Sequence, residues 1–366
     1  MMAVVGVSAV AVAAAVLMYL APSFRGAPSA VLPLAGPAAH TSNDETIRFD
    51  FLDPSTGWAA AAASISSSRL WIYATTDGAR SWHEAGFIDG LGTTYPVDVF
   101  KFFDHSRGVI AVGPEGVNAF RTNDGGHTWT RFEVPVNTSA LTFADVDHAW
   151  ATTPYGPVFM RAYATADGGA TWRPMPKLPV EGSLIFSSPL DGWLSDVDAL
   201  GLYVTHDGGS RWESVDLPPP STAAGSISNI DQPVEILPGG AVVVIDNSVQ
   251  TEFISLDSGA TWRYVTLPPD VTDYSSIAHE DSLHWWAFDG TRLFKTADAG
   301  ATWALISSQI AYDNLRPTIL DAQHAWARVQ ASDDTSTGQL RGAVWELDTT
   351  SDGGLHWTTM TVPVPV

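Results

Sequence analysis

Thr165-Ala-Asp167-Gly-Gly169-Ala-Thr-Trp172 decides the fold, because the same phrase returns along the whole chain. Upstream stand Thr75-Thr-Asp77-Gly-Ala79-Arg-Ser-Trp82 and Thr122-Asn-Asp124-Gly-Gly126-His-Thr-Trp129. Downstream come Thr205-His-Asp207-Gly-Gly209-Ser-Arg-Trp212 and Ser255-Leu-Asp257-Ser-Gly259-Ala-Thr-Trp262. Thr296-Ala-Asp298-Ala-Gly300-Ala-Thr-Trp303 and Thr350-Ser-Asp352-Gly-Gly354-Leu-His-Trp357 complete the set. The pattern is Ser/Thr-x-Asp-x-Gly-x-x-Trp, here termed the box, and Ala79 is its one departure at glycine. Successive box aspartates lie 47, 43, 40, 50, 41 and 54 residues apart. That period suits a propeller blade of four strands. A helical repeat of the same length would need apolar stripes at 3.6-residue spacing, and the chain has none. Short β-branched and aromatic runs precede several boxes instead: Leu70-Trp-Ile-Tyr73, Gly201-Leu-Tyr-Val204, Glu252-Phe-Ile254 and Arg292-Leu-Phe294. Runs of this kind are strands. The expectation is an all-β chain: a single seven-bladed β-propeller of four-stranded antiparallel blades over residues 46–366.

A second phrase sits earlier in most units. Asp53, Asp145, Asp281 and Asp321 each precede a tryptophan by five positions, at Trp58, Trp150, Trp286 and Trp326. Asp104 before Val109 and Ser188 before Trp193 are worn copies. The fifth unit carries Ile236-Leu-Pro-Gly-Gly-Ala-Val-Val-Val-Ile245 in its place. The chain has 15 Trp, and all but Trp71, Trp285 and Trp345 fall in one phrase or the other. The tryptophan excess therefore reads as repeat architecture rather than as a binding surface.

The box chemistry is that of a tight hairpin. A Ser/Thr hydroxyl and an Asp carboxylate can accept bonds from backbone N–H groups a few residues on. Glycine supplies a positive φ without steric cost. The tryptophan then opens the next strand and turns its ring into the core. Seven equivalent copies point to a structural role for Asp77, Asp124, Asp167, Asp207, Asp257, Asp298 and Asp352, and for their partners Trp82, Trp129, Trp172, Trp212, Trp262, Trp303 and Trp357. A ring does not need seven catalytic acids or seven calcium ligands.

Composition narrows the function. Lys+Arg number 18 against 40 Asp+Glu, a net charge of −22, which argues against DNA, RNA or anionic headgroups as partners. The absence of cysteine removes disulfides, thiol catalysis and thiolate metal sites. Residues 1–24 carry no charge and are rich in Ala and Val, about the length of a membrane span or a long signal-peptide core. A linker punctuated by Pro28, Pro33 and Pro37 follows over residues 25–45. This start is expected to export the propeller or to anchor it outside the cytoplasm, and membrane contact is expected through it alone.

The box phrases resemble Asp-box (bacterial neuraminidase) repeats. That family includes sialidases, xyloglucan-active glycosidases, sortilin-type receptors and photosystem II assembly/stability factors. Phe51-Leu-Asp53 with Gly57-Trp58, followed by the box at Asp77, is most similar to the last group and its bacterial relatives. The sialidase branch of the resemblance implies an arginine triad, its first member in an Arg-Ile-Pro phrase before the first box. Thr46-Ile-Arg48-Phe49 stands there instead, and Arg316-Pro317 echoes it in another blade. Sialidase propellers also have six blades, and the xyloglucan enzymes set two propellers face to face. The photosystem II factors imply an arginine cluster, whereas the arginines here are dispersed.

The expected function is a non-catalytic scaffold that binds a protein or peptide, with glycan as a second class of ligand. No catalytic residue, cofactor or metal site is expected, and the chain should be a monomer. The alternative is a glycoside hydrolase using a pair of carboxylates. Asp145/Asp147, Asp196/Asp198 and Asp333/Asp334 are adjacent acidic pairs, though adjacency of this kind usually marks a solvated loop. His127, His206 and His356 fall in boxes, and His105, His148, His284 and His324 in second-phrase turns, which suggests turn roles rather than ligation. Binding loops are expected at the atypical segments Leu217 to Ser228 and Ala331 to Gln339.

Overall fold

Gly57-Trp-Ala-Ala-Ala61 is buried at every position, and so is Gly108-Val-Ile-Ala-Val112. A strand with one solvated face would alternate; these two are covered on both faces by neighbouring blades. The computed structural model describes residues 47–63, 67–92, 97–113, 118–154, 159–196, 201–218, 234–246, 251–268, 271, 277–289, 291–310, 317–331 and 344–363. The apolar start, the linker and most of both atypical segments lie outside the described residues.

Blade 1 is β1 (Ile47–Phe51), β2 (Gly57–Ala61), β3 (Leu70–Thr75) and β4 (His83–Ile88). Blade 2 is β5 (Val97–Phe102), β6 (Gly108–Val112), β7 (Asn118–Thr122) and β8 (Thr130–Phe132). Blade 3 is β9 (Ala140–Phe143), β10 (Ala149–Thr152), β11 (Ala162–Thr165) and β12 (Arg173–Pro174). Blade 4 is β13 (Gly182–Phe186), β14 (Gly192–Asp196), β15 (Leu202–Thr205) and β16 (Glu213–Val215). Blade 5 is β17 (Glu235–Ile236), β18 (Val242–Asp246), β19 (Thr251–Ser255) and β20 (Arg263–Tyr264). Blade 6 is β21 (Ile277–His279), β22 (Trp285–Asp289), β23 (Arg292–Thr296) and β24 (Ala304–Ser307). Blade 7 is β25 (Thr318–Ile319), β26 (Ala325–Ala331), β27 (Val344–Thr350) and β28 (Thr358–Met360). Each blade is an antiparallel meander of four consecutive strands, and among the described residues no strand is exchanged between blades. First strands of successive blades lie side by side, as β1 with β5 and β5 with β9 do, so they form the inner ring. The seven-bladed propeller expected from the box spacing is therefore the architecture.

The core is distributed as one apolar cluster at each interface between blades. Trp58, Ile72, Phe102 and Ile110 belong to the first interface, Trp150, Leu184 and Phe186 to the third, and Phe49, Phe51 and Leu347 to the one that closes the ring. A second-phrase tryptophan of one blade and the box tryptophan of the next meet across these contacts. Three interfaces share one aromatic sandwich. Trp58 stacks on Phe102 at 3.8 Å, and Trp129 meets the same ring edge-on at 6.1 Å. Trp150 stacks on Phe186 at 4.1 Å with Trp212 edge-on at 6.1 Å. At the closure, Phe51 lies 5.6 Å from Trp326 and 6.2 Å from Trp82. Each of these phenylalanines ends a first strand and lies flat over the glycine that opens the second. A Cβ on Gly57 or Gly192 would come within 2.4 or 2.6 Å of the Phe51 or Phe186 ring.

The box tryptophans pack against the interface clusters as expected, one per interface, but all seven are only half-buried. Four of the five second-phrase tryptophans, Trp58, Trp150, Trp193 and Trp286, are almost fully enclosed, at 4%, 3%, 1% and 1% exposure, as is Trp285, whereas Trp326 is half-buried.

The box turn uses two consecutive left-handed residues, where the sequence pattern marked one. Gly168 and Gly169 have φ of +65° and +86°. Ala79, Ser258 and Ala299 adopt the same region, at +67°, +56° and +55°. A non-glycine residue there costs about 1–2 kcal/mol, partly offset by the greater chain entropy of glycine. Ser258 is exposed, so Ser258→Gly is expected to stabilise the protein by about 0.5 kcal/mol in urea unfolding. Ala79→Gly is expected to be near neutral, since it also removes a buried methyl worth about 0.8 kcal/mol.

Candidate functional site

The box hydrogen bonds follow one plan. Thr165 Oγ1 donates to Asp167 Oδ1 at 2.7 Å and accepts from the Gly169 N–H at 3.0 Å. Asp167 Oδ1 accepts from the Thr171 N–H at 2.8 Å, and Oδ2 accepts from the Thr171 hydroxyl at 2.6 Å. Asp77 and Asp298 repeat the scheme with Ser81 and Thr302. These side-chain and backbone bonds hold the carboxyls of Asp77, Asp167 and Asp298 down to about 2. A carboxyl depressed in the folded state stabilises the fold above its unfolded pKa, near 3.8. That contribution is lost as the pH falls through the folded value. Urea midpoints are therefore expected to drop together between about pH 4 and pH 2, with the boxes acting in parallel.

Second-phrase aspartates build a companion turn. Asp145 Oδ1 accepts from the N–H groups of Asp147 and His148, and the His148 ring returns to the same carboxylate at 2.9 Å. Asp281 with His284 and Asp321 with His324 repeat this. The two turns of a blade are joined, as when the Gly168 N–H donates to Asp147 O at 2.9 Å. Blade 5, which lacks the second phrase, borrows Ser282 from blade 6, whose hydroxyl donates to Pro238 O and accepts from the Ala241 N–H.

The structure thus places Asp77, Asp124, Asp167, Asp207, Asp257, Asp298 and Asp352 one per blade, each at the turn between third and fourth strands, and brings no two of them together. Their tryptophans link the ring. Trp82, Trp172 and Trp303 donate Nε1–H to Thr361, Glu133 and Thr266 carbonyls on the preceding blade. Trp129, Trp262 and Trp357 bond within their own box. Asp145 and Asp147 share one turn, and Asp198, Asp333, Asp334 and Arg316 lie outside the described residues. Among the described residues no group of three or more His, Asp or Glu side chains is placed to hold a metal ion.

Two features escaped the sequence reading. The first is a buried ionic bridge between blades 5 and 6. The fully buried His279 side chain has Nε2 3.0 Å from Glu252 Oε1 and Nδ1 3.3 Å from Glu235 Oε2. Glu252 is itself fully buried. Burial alone would lower His279, but the two carboxylates hold it up at about 9, so the imidazolium is the resident form. Each partner is unremarkable in sequence; only the packing of two blades unites them.

The second is a cleft of about 410 Å³ at the turn end of blade 6. Glu280, His284, Thr302, Trp303 and Ala304 line it, together with Ala322 of blade 7. Lys295 also lines it: Nζ donates to Ala322 O at 3.1 Å and sits 3.8 Å above the Trp286 ring. Burial pushes Lys295 down. It pushes Glu280 up, and Asp281 and Asp321 reinforce that shift against His284 and Lys295.

Fold and repeats together define a seven-bladed β-propeller. Solved structures of the same architecture include YCF48 bound to D1 peptide, at 16% identity over 87% of this chain and 94% of that one, with a TM-score of 0.50. YCF48 from Cyanidioschyzon merolae is 20% identical over 73% of this chain and 85% of that one, with a TM-score of 0.50. An uncharacterized protein from Listeria monocytogenes is 10% identical over 88% of this chain and 96% of that one, with a TM-score of 0.52. At these identities the likeness is one of fold. No protein-family model matches the chain, and no curated protein does.

Proposed function

We propose that the chain is a non-catalytic propeller of the Asp-box type that acts as a binding or assembly scaffold for a protein or peptide. One observation carries this reading: every box carboxylate is consumed in holding its own turn, and the seven are dispersed around the ring. The propeller likeness to YCF48, described as bound to D1 peptide, supports a peptide as the partner class. The charge-free stretch at residues 1–24 supports export or membrane anchoring, and cell fractionation tests that part. A rigid ring with variable loops meets the needs of a scaffold without further chemistry. A sialidase would need a cationic clamp for its anionic sugar. Without one, a chain of net charge −22 opposes that substrate.

The full chain is expected to show no turnover of a fluorogenic sialoside or of a β-glucan panel. Turnover abolished by substituting one Asp or Glu outside the boxes would replace the scaffold with a glycoside hydrolase.

A further inference from the structure

Opposite charges taken out of water recover part of that cost only in close, well-aligned contact. The blade 6 cleft holds a pair that has not made this contact. Glu280 and Lys295 both line it, and each acts electrostatically on the other. Among the described residues neither forms an ion pair. Lys295 Nζ donates to the Ala322 carbonyl, which uses only one of the ammonium's three N–H groups. The Glu280 carboxylate accepts no hydrogen bond among the described residues.

Every other charge that acts on these two groups has a partner of its own. His284 lies 2.9 Å from Asp281, Asp321 lies 2.9 Å from His324, and Asp352 lies 2.6 Å from His356. What is left is one carboxylate and one ammonium, both lining a cleft of about 410 Å³. A guest of either net sign is disfavoured there, since a cation meets Lys295 and an anion meets Glu280. A neutral polyol would displace water from both groups and return no charge to either. A guest that carries both charges compensates both.

We propose that the blade 6 cleft binds a small zwitterion, a free α-amino acid with an apolar side chain, its ammonium at Glu280 and its carboxylate at Lys295. The side chain packs against the apolar lining that Ala297, Trp303 and Ala304 supply. A volume of about 410 Å³ falls near the lower end of the range for small-ligand sites. The net charge of −22 is no obstacle, because a zwitterion has no net charge to repel. This site goes beyond the scaffold reading and does not depend on it.

The probe is L-leucine, titrated into the full chain by isothermal titration calorimetry. Saturable binding at a single site is expected. L-leucinamide keeps the ammonium and lacks the carboxylate; N-acetyl-L-leucine does the reverse. Each should bind about tenfold more weakly or worse, since each loses a charge-assisted hydrogen bond. Glu280→Gln should weaken leucine by a similar factor. It should bind N-acetyl-L-leucine at least as well as the wild type does, because the carboxylate it removes opposes that ligand. Its thermal midpoint should be unchanged, as the Glu280 side chain holds no hydrogen bond. Lys295→Met should give the mirror result with L-leucinamide. That variant also loses the bond to Ala322, so should it fail to fold, the ligand series and Glu280→Gln still decide. No binding of leucine, equal binding of the three compounds, or leucine binding unaltered by Glu280→Gln would each overturn the proposal. Glucose binding as tight as that of leucine would assign the cleft to polyols and overturn it as well. These outcomes leave the scaffold reading standing, which fails instead on turnover in the activity screen.

Discussion

Trp58→Ala is expected to cost about 3–5 kcal/mol in urea unfolding, the range for a large buried aromatic. Trp58 is 4% exposed, stacks on Phe102 of the next blade, and donates Nε1–H to Gly125 O at 2.9 Å. Truncation removes the aromatic pair, leaves the Phe102 ring unsupported, and strips a partner from the neighbouring box turn. The loss falls on contacts between blades, so the whole ring should unfold in one transition at lower denaturant. Trp172→Ala is the control. Its ring is half-buried, so the cost should be clearly smaller. Equal losses at the two positions would contradict the division between inner and outer tryptophans.

His279→Ala is expected to cost about 3–5 kcal/mol, because it strands the buried Glu252 carboxylate. The double variant His279→Leu/Glu252→Met should recover most of that loss, since an apolar pair of similar volume needs no compensation. The pH dependence has a definite sign. His279 is held at about 9 in the fold against an ordinary imidazole value near 6.5, so its bridge is fully present below the unfolded value. It is lost as the pH rises through about 9. Wild-type stability should therefore decline on the alkaline side, and the double variant should lose that decline. A pH profile unaltered by the double substitution would remove the bridge from blade coupling.

The box spacing made the blade count legible, because each turn is local: Thr165, Asp167 and Thr171 satisfy one another within seven residues of chain. The companion turns were legible for the same reason, down to the roles of His148, His284 and His324. Burial was less so. Trp58 and Trp82 look alike as letters, and only the position of the next blade decides which ring is enclosed. Phe51 and Gly57 stood in the sequence as part of a phrase, but the ring contact of Phe51 with Trp326 depends on a residue from the far end of the chain. The His279 bridge and the blade 6 cleft were hidden for that reason too. Each joins neighbouring blades through residues whose own surroundings in sequence are ordinary.

Among the described residues every blade is made from four consecutive strands, so no exchanged strand latches blade 7 to blade 1. The junction holds through Phe49, Phe51, Trp82, Trp326 and the Thr361 carbonyl, the same kinds of contact that join the other blades. Unlike the other six, this junction is not crossed by the chain and rests on these contacts. Mechanically, its closure is only as strong as one aromatic coupling among equals, and topologically, where the chain is cut matters less than that all the couplings are made.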